Sequence, residues 1–482
     1  MEDITELTSR FLEKENPSYY EVKYQEDLET SYIFKNSQLY AISTRCEKGI
    51  GIRVLVNGSL GFGATNVLQK NSVENAVKES IKSARVSSRL RKTPIRFSEE
   101  KFEKKSWVIK PKISFEDVAE ENKINLLREI DRIALDVAEE KKIELPARNI
   151  FLTEIATRKY FLNSDGAEIS SEVPRIEIFW IFVGKKDGDS EEETRQIGGV
   201  GGWELIKRWK LVGEIKERIG ILGNILHEAK LPPKGKIDVV MGGKLVGLAV
   251  HESTGHPYEA DRILGRESAQ AGESFVTPSL LGQRIGSELV TVVDDPTFIF
   301  NRMKSYGYYL WDEEGVKARR KILIKNGIIN EFLHNRETAA KFGVKSNASA
   351  RSASYSVEPL IRMSNTFMIP GDFKFNELLE GIKLGIYVKT GEEWNIDDRR
   401  FNMRNVGKEA YLIKNGELKN LVRRPVIEIK TPTFYHSIDA VDKNLDFIAA
   451  TCGKGDPVQG VPVWCGGPNI RLRNIGVLGY GR

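Results

Sequence analysis

Residues 236–257 combine a strand pattern, a glycine turn and an apolar helix pattern in direct succession, and the helix ends on a cluster of polar side chains. The cluster is His-Glu-Ser-Thr-Gly-His-Pro at 251–257, which holds two of the five histidines of the chain. Imidazole and carboxylate groups so close together are common metal ligands. The stretch therefore predicts a metal site carried by a strand–turn–helix unit.

The two histidines are five residues apart, a spacing that a regular α-helix does not place on one face. At about 100° per residue, His256 would lie about 140° around the helix from His251. Gly255 is conformationally permissive, and Pro257 disfavours the α region for the residue before it. We therefore expect the helix to end or bulge between the histidines, with His256 outside the α region, so that both imidazoles reach one ion.

Glu252 lies beside the first histidine, where it cannot coordinate easily but can reach a water molecule at the metal. That is the position of a general base in metal-assisted hydrolysis. Spacing alone leaves an ordinary pair of helix-end histidines as an equal interpretation, because the usual four-residue spacing is absent. The remaining histidines are assigned to that ordinary class of caps and core residues: His227, His334 and His436.

A catalytic zinc ion usually takes three protein ligands, so two histidines leave one ligand to be found. Cys452 lies beside a glycine after a strand-like segment, and Cys465 lies in a Trp-Cys-Gly-Gly segment. The chemistry of the sequence does not separate these two candidates, whereas Cys46 lies in a predicted strand and is expected to be packed. A metal-free nucleophile built on Cys452 is a further alternative, but it leaves the paired histidines and Glu252 unexplained.

Composition narrows the class of protein. The chain has 482 residues, of which 40% are hydrophobic and 29% are charged, as in soluble globular proteins of more than one domain. A net charge of +5 with interleaved signs argues against nucleic-acid and membrane partners. No apolar run reaches the roughly 18 residues of a membrane span. The acidic N-terminus and the small number of cysteines predict a cytoplasmic protein without a disulfide framework.

The first half of the chain is dominated by strand patterns. Residues 20–66 predict consecutive strands, with apolar residues at 50, 52, 54 and 56 on one face. Asn57-Gly58 predicts a tight hairpin, after which Leu60 and Phe62 continue the same apolar face. Two amphipathic patterns, at 73–84 and 127–137, predict helices that cover these strands.

The second half begins after the Leu-Pro-Pro-Lys-Gly segment at 231–235, and the predicted domains are 1–225 and 226–482. Beyond the histidine motif the patterns are mainly strands, with Asn-Gly hairpins at 326–327 and 415–416. The predicted fold class is α+β with two domains. The N-terminal domain is mixed α/β with antiparallel strands and covering helices, and the C-terminal domain is mainly antiparallel β with a motif-bearing helix.

Several segments resemble the TldD/PmbA family of metalloproteases, specifically its TldD branch. The residues 251–256, followed by Glu259 and Asp261, look like the HExxxH motif of that family. Further similar segments follow in the order of the family: 287–295, 312–316, 362–366, 409–413 and 451–454. In the first half, 49–54 and 61–62 are similar but less specific.

The resemblance implies a cytoplasmic zinc metallopeptidase that acts on peptides or unfolded polypeptides. In the TldD branch, two motif histidines and a cysteine in a Cys-Gly-Lys context bind the metal, and the motif glutamate is the base. The matching residues here are His251, His256, Cys452 and Glu252. The PmbA branch, also called TldE, lacks the metal motif, and the two branches pair in bacteria.

A homodimer or a heterodimer with a PmbA/TldE-like subunit is therefore expected. The alternative to a peptidase is a non-catalytic, partner-binding subunit in which zinc is structural. The two interpretations differ in whether a side chain beside the metal ligands takes part in chemistry.

Overall fold

Long antiparallel strands organise the first half of the chain. The computed structural model describes residues 2–267 and 272–479. The elements of the first half are α1 (Glu2–Glu15), β1 (Tyr19–Lys35), β2 (Gln38–Val56), β3 (Ser59–Thr65), α2 (Lys70–Leu90), β4 (Lys104–Val108), α3 (Glu120–Glu140), β5 (Glu144–Asn163), β6 (Glu168–Lys186), β7 (Asp189–Val200), α4 (Glu204–Arg208) and α5 (Leu211–Glu228).

Shorter strands and few helices make up the second half. Its helices are α6 (Gly243–Val250), α7 (Ala260–Ile263), α8 (Arg336–Phe342), α9 (Phe375–Leu379) and α10 (Thr431–His436). Its strands are β8 (Gly235–Met241), β9 (Val292–Asp294), β10 (Ile299–Phe300), β11 (Met303–Lys304), β12 (Lys321–Lys325), β13 (Ile328–Ile329), β14 (Ala350–Arg351), β15 (Leu360–Ile361), β16 (Asn365–Met368), β17 (Leu384–Val388), β18 (Gly391–Ile396), β19 (Asn402–Gly407), β20 (Ala410–Lys414), β21 (Glu417–Leu421), β22 (Pro425–Lys430), β23 (Ile438–Val441), β24 (Asp446–Lys454), β25 (Gln459–Gly467) and β26 (Ile470–Gly479).

The first sheet has one apolar and one polar face. Its order is β10-β11-β7-β6-β5-β1-β2-β3, with β4 beside β6. On β6, Ile178 and Trp180 point to the core beneath α3 and α5, whereas Arg175 and Glu177 alternate with them on the opposite face. That polar face is turned toward the second half of the chain. The predicted domains 1–225 and 226–482 stay a prediction, and β10 and β11 from the second half extend this sheet.

The hairpin between β2 and β3 contains the predicted Asn57-Gly58 turn, with φ of 51° and 72°. Its return strand differs from the prediction, since Val54 pairs with Gly61, and Leu60 and Phe62 lie on the opposite face. A Cβ atom at Gly61 would lie 2.0 Å from the backbone oxygen of a residue in α2. The prediction for Leu60 and Phe62 is wrong because the close approach of α2 leaves no room for a side chain at Gly61 or Gly63 on that face.

Two further sheets enclose the motif-bearing helix. One has the order β13-β12-β9-β16-β25-β24, and the other β18-β19-β22-β26-β8-β17-β20-β21 with β23 beside β26. Helix α6 follows β8 of the second sheet and packs on β16, β24 and β25 of the first. A Cβ atom at Gly247 would lie 2.3 Å from the backbone nitrogen of Gly466, so glycine is required where α6 crosses β25.

The predicted α+β fold is confirmed, as are both Asn-Gly turns of the second half. Asn326-Gly327 joins β12 to β13, and Asn415-Gly416 joins β20 to β21, each with positive φ at both residues. Most pairings are antiparallel, but β8 runs parallel to β17 and β16 runs parallel to β25. Among the described residues, no helix is both long and apolar enough to cross a membrane.

His334 is a buried core histidine whose charge couples stability to pH. It is 5% exposed, accepts or donates a hydrogen bond with Thr338 Oγ1 at 3.1 Å, and packs near Phe342. Burial lowers the pKa of His334 to about 4, against about 6.5 in the unfolded chain. Protonation of His334 favours the unfolded state, so its contribution to the free energy of unfolding is complete above pH 6.5. That free energy decreases by about 3 kcal/mol as the pH falls from about 6.5 to about 4.

We expect His334→Leu to reduce the decline in the free energy of unfolding between about pH 6.5 and pH 4. Urea denaturation at several pH values measures this slope. Exposed His436, changed to Gln, is the control and should leave the slope as in the unchanged protein. An unchanged slope in His334→Leu would show that this histidine is not the group that titrates.

Candidate metal centre

The two motif histidines meet on a π-helical turn. Helix α6 ends at Val250 and passes into the π-helix His251–Gly255, which is followed by the 3₁₀ turn His256–Tyr258. The backbone N–H of His256 donates to the carbonyl oxygen of His251, an i to i+5 hydrogen bond. Residues five apart therefore occupy neighbouring positions on this wider turn. The predicted bulge between the histidines is confirmed.

The cause of the bulge differs from the predicted one. His256 has φ −62° and ψ −47° and so remains in the α region, although Pro257 follows it. The π turn admits the extra residue without a break, and Pro257 lies in the first turn of the 3₁₀ helix, where its missing N–H costs little. Gly255 has φ −53° and needs no special conformation. Packing requires the glycine, because its Cβ atom would lie 1.8 Å from Met363 Sδ.

His251, His256 and Cys452 form a buried cluster. The Nε2 atoms of both histidines lie 3.3 Å from Cys452 Sγ, and the ligand atoms lie within 4.8 Å of one another. The three residues are 4%, 3% and 8% exposed, respectively. Cys452 lies on β24, so the third member comes from a strand far along the chain and reaches the helix only in the folded domain.

The donor set of this cluster fits a zinc ion. Zinc binds imidazole nitrogen at about 2.0–2.1 Å and thiolate sulfur at about 2.3 Å in a tetrahedral arrangement, which places a nitrogen and a sulfur ligand about 3.5 Å apart. The observed nitrogen to sulfur distances are 3.3 Å. Three protein ligands are the number found in catalytic zinc sites, whereas structural sites use four.

Electrostatics favours the thiolate form of Cys452. Burial raises its pKa, but the charges of His256 and His251 outweigh burial and hold the pKa well below the ordinary value. Burial likewise opposes protonation of His251, and the neighbouring Cys465 and Cys452 raise its pKa well above the ordinary value. The thiolate is the form of cysteine that binds metals.

Cys465 was the competing candidate, and the structure places it beside the cluster without making it a member. It lies on β25, pairs with Ile448 across the hairpin and is 1% exposed. Among the described cysteines, Cys452 is the one whose sulfur contacts both histidines. The position of its sulfur favours Cys452, and the assignment of the third ligand stays a prediction. Cys46, expected to be packed, is exposed in the structure.

Glu259 holds His256 from the side opposite Cys452. Its Oε2 atom lies 3.2 Å from His256 Nδ1, accepts a 2.6 Å hydrogen bond from Arg262 Nε and lies 3.1 Å from Lys454 Nζ. Burial would raise the pKa of this carboxyl group, but Lys454 and the other cations hold it well below its ordinary value. A carboxylate at Nδ1 fixes the proton there and leaves Nε2 free to bind a metal.

Lys454 and Arg362 fix the strand that carries Cys452. Lys454 Nζ is fully buried and donates to both carboxylate oxygens of Asp261 at 2.8 and 2.7 Å. Arg362 donates to the backbone carbonyl oxygens of Cys452 and Gln459, which lie on opposite strands of the β24–β25 hairpin. The motif in the sequence included Glu259 and Asp261 without a role, and their spacing after His256 was the available signal.

Glu252 lies at the edge of the cluster and contacts Arg400. Its carboxylate forms an ion pair with the guanidinium group, and both side chains are partly exposed. Arg400 has φ 63°, in a turn closed by hydrogen bonds from the N–H groups of Phe401 and Asn402 to Asp397. Nothing in the sequence predicted Arg400, because it lies in a connection between strands 148 residues from Glu252.

The buried His-His-Cys cluster beside a carboxylate, in a β-rich α+β fold, points to the class of metal-dependent hydrolases. Models described as PmbA/TldA metallopeptidase domain 1, central domain and C-terminal domain match residues 20–84, 113–222 and 234–479. The chain therefore belongs to the PmbA/TldD metallopeptidase family, which confirms the resemblance found in the sequence.

Two similar proteins are named metalloproteases. The chain is 31% identical to a metalloprotease of Methanocaldococcus jannaschii, over 91% of this chain and 92% of that protein. It is 28% identical to a zinc metalloprotease TldD homolog of Saccharolobus solfataricus, over 96% of this chain and 97% of that protein. The relationship spans both halves of the chain.

Solved structures share the fold at low identity. A Thermotoga maritima protein described as a modulator of a DNA gyrase matches with a TM-score of 0.77 at 18% identity, over 99% of this chain and 100% of that chain. TldE from Thermococcus kodakarensis matches with a TM-score of 0.74 at 17% identity, over 99% of this chain and 100% of that chain. These likenesses concern the fold alone.

We expect Gly255→Ala to destabilise the protein by about 1–3 kcal/mol, because the added methyl group overlaps buried Met363. Met363→Ala leaves a cavity that accepts this methyl group, so the double variant should be less destabilised than the sum of the single variants. Urea denaturation measures all three.

Gly213→Ala in α5 is the matched control, since no atom outside the neighbouring helix backbone lies within 4 Å of a Cβ atom built there. It should be neutral or slightly stabilising, because alanine favours a helix over glycine. Additive effects of Gly255→Ala and Met363→Ala would contradict the packing explanation for Gly255.

Proposed function

We propose that the chain is a zinc-dependent peptidase that hydrolyses peptide bonds in small peptides or unfolded polypeptides. The observation that carries the proposal is the convergence of two imidazoles and one thiol in a buried cluster beside Glu252. His251, His256 and Cys452 would hold the ion. When bound, zinc supplies Lewis acidity that polarises the scissile carbonyl group and acidifies water.

Glu252 is the general base in this proposal. It follows the first ligand directly, yet its side chain is partly exposed whereas the three ligands are buried. A carboxylate in this position can take a proton from the attacking water and return it to the leaving amine. Cleavage then needs no covalent intermediate with Cys452, whose sulfur contacts both histidines.

Arg400 has a positioning role in the proposed reaction. Its contact with Glu252 holds the carboxylate at the edge of the cluster, and its side chain is mostly buried. A guanidinium group there also places positive charge where the peptide carbonyl oxygen becomes negative. The turn closed by Asp397 fixes the arginine in this place.

The relatives support the zinc and the reaction. One is named a zinc metalloprotease, and others are named metalloproteases without a stated metal. We further propose that the protein acts in the cytoplasm as a homodimer or with a PmbA/TldE-like subunit, a pairing supported by the shared fold of TldE from Thermococcus kodakarensis. Light scattering of the purified chain, alone and mixed with such a subunit, tests the pairing.

Glu252→Gln should abolish cleavage of an unstructured fluorogenic peptide while leaving the zinc content at one ion per chain. The amide retains the shape of the side chain but cannot accept the proton. Peptide cleavage and elemental analysis measure the two properties, with exposed Glu288→Gln as the control.

Cleavage by Glu252→Gln would refute the general-base role. A different result would be loss of zinc from Glu252→Gln together with no peptidase activity in the unchanged protein. That result would favour a structural zinc ion in a partner-binding subunit. Activity that survives exhaustive chelation would favour a cysteine nucleophile instead.

Cys452→Ala should reduce bound zinc far more than Cys465→Ala, because only the sulfur of Cys452 among the described cysteines contacts both histidines. Loss of one of three ligands leaves an incomplete site. Zinc content after dialysis against a weak chelator measures the difference. The reverse ranking would overturn the assignment of the third ligand.

A further inference from the structure

A cavity of about 450 Å³ lies between the polar face of the first sheet and the second half of the chain. Its floor is formed by side chains that alternate along three neighbouring strands, among them Lys23, Asp27, Thr157, Lys159, Arg175 and Glu177. Its roof comes from residues 306–313, 350–353 and 460–462. The cavity is within the size range of small-molecule sites in proteins.

Two guanidinium groups in this cavity lack a carboxylate partner. Arg175 donates to the backbone carbonyl oxygens of Tyr306 and Tyr308, both at 3.1 Å. Arg351 donates to those of Met363 and Pro462 at 2.6 and 2.8 Å. Neither arginine forms an ion pair within the part of the chain that the structure describes. The carbonyl groups satisfy hydrogen bonds, but they do not neutralise the charges.

Burial and a neighbouring guanidinium group disfavour the charged form of each arginine. Burial, together with the nearby charge of Arg351, lowers the pKa of Arg175 to about 10, and burial lowers that of Arg351 as well. A buried charge without a partner is costly. An anion bound between them would remove that cost.

Carboxylates without cationic partners lie on the same floor. Asp27 accepts hydrogen bonds from Gln25 Nε2 at 2.6 Å and Thr157 Oγ1 at 2.7 Å. Glu177 accepts hydrogen bonds from Gln196 Nε2 at 2.5 Å and from Tyr306 Oη at 2.8 Å. All these donors are neutral, and among the described residues neither carboxylate has an ion-pair partner.

The lysines of the floor are not ion-pair partners of Asp27 or Glu177. Lys23 and Lys159 both contact Glu313, so they are paired with a carboxylate of the roof. The cavity therefore combines positive charges without carboxylate partners, at Arg175 and Arg351, with carboxylates without cationic partners, at Asp27 on β1 and at Glu177, two residues after Arg175 on β6.

We propose that this cavity binds a short peptide with both termini free, with Arg175 and Arg351 receiving its carboxylate and Asp27 receiving its ammonium group. Asp27 pairs with Thr157 on β5, which pairs with Val173 on β6 two residues before Arg175. Two strand spacings are about 9.6 Å, and an extended tripeptide spans about 10 Å. The charges select a zwitterion, whereas the choice of a peptide rests on the proposed function.

This site is separate from the metal centre but shares a strand with it. Thr451 lines the cavity, and Cys452, the next residue of β24, points to the histidines. Successive side chains of a strand point to opposite faces. A peptide in the cavity therefore lies behind the ligand-bearing strand, where short products of the proposed reaction can bind without occupying the centre.

Calorimetric titration of the full-length Glu252→Gln protein tests the proposal with four probes: tri-alanine, its N-acetyl form, its C-terminal amide and inorganic phosphate. Tri-alanine should bind, and blocking either terminus should weaken binding about tenfold or more, the usual effect of a lost charged hydrogen bond. Equal binding of the three peptides would overturn the proposal, as would binding of phosphate without binding of tri-alanine.

Single substitutions assign each terminus to its side of the cavity. Arg175→Gln should remove the preference for the free carboxylate and keep the preference for the free amine, and Asp27→Asn should do the converse. Arg158→Gln, an exposed arginine on β5, should keep both preferences. Unchanged preferences in both cavity variants would place the peptide elsewhere and overturn the proposal.

These outcomes are independent of peptidase activity, since no cleavage is measured. A protein that binds tri-alanine as expected but fails to cleave peptides refutes the proposed function and leaves the cavity assignment intact. If Arg175→Gln does not fold, Asp27→Asn and the set of blocked peptides still decide the result.

Discussion

The hydrogen bond from the backbone N–H of His256 to the carbonyl oxygen of His251 is the interaction on which the geometry of the centre depends. A regular α-helix would point these imidazoles about 140° apart. The wider π-helical turn brings the two imidazoles to neighbouring positions. His256 stays in the α region at the start of the 3₁₀ segment that follows. The glycine between them is explained by packing, because Met363 occupies the space that a Cβ atom would need.

The cluster then depends on long-range assembly. Cys452 reaches the histidines only when β24 pairs with β25 and the hairpin packs on α6. Lys454 connects this strand to Glu259, which holds His256, so one buried ionic network joins two ligands from distant parts of the chain. Each ion in such a network is tolerated because its partner is in place. The cluster therefore forms only when this domain folds, and binding of a metal ion by it would be coupled to folding.

The sequence correctly predicted features that depend on interactions between residues close together in the chain. The Asn-Gly turns follow from the backbone preferences of two residues each. The bulge after α6 was predicted correctly, although His256 stays in the α region and packing against Met363, not conformational freedom, requires Gly255. The prediction was wrong where packing against an element distant in the sequence determines which face a residue occupies. Helix α2 leaves no room for a side chain at Gly61, so Leu60 and Phe62 lie on the other face. The choice of Cys452 over Cys465 came from the resemblance to a family, because strand pairing is not readable from residue chemistry. Arg400 carried no signal in the sequence.

The second proposed site, the peptide-binding cavity, lies on the polar face of the first sheet. A sheet needs only one apolar face for stability, and α3 and α5 cover that face here. On the opposite face Arg175 is partly buried, and Arg351 in the roof of the cavity is buried; among the described residues neither has a carboxylate partner, although Asp27 and Glu177 line the same cavity. A buried charge that is left without a partner is costly to the fold. A ligand that carries both charges would give these groups the partners that the described residues do not supply.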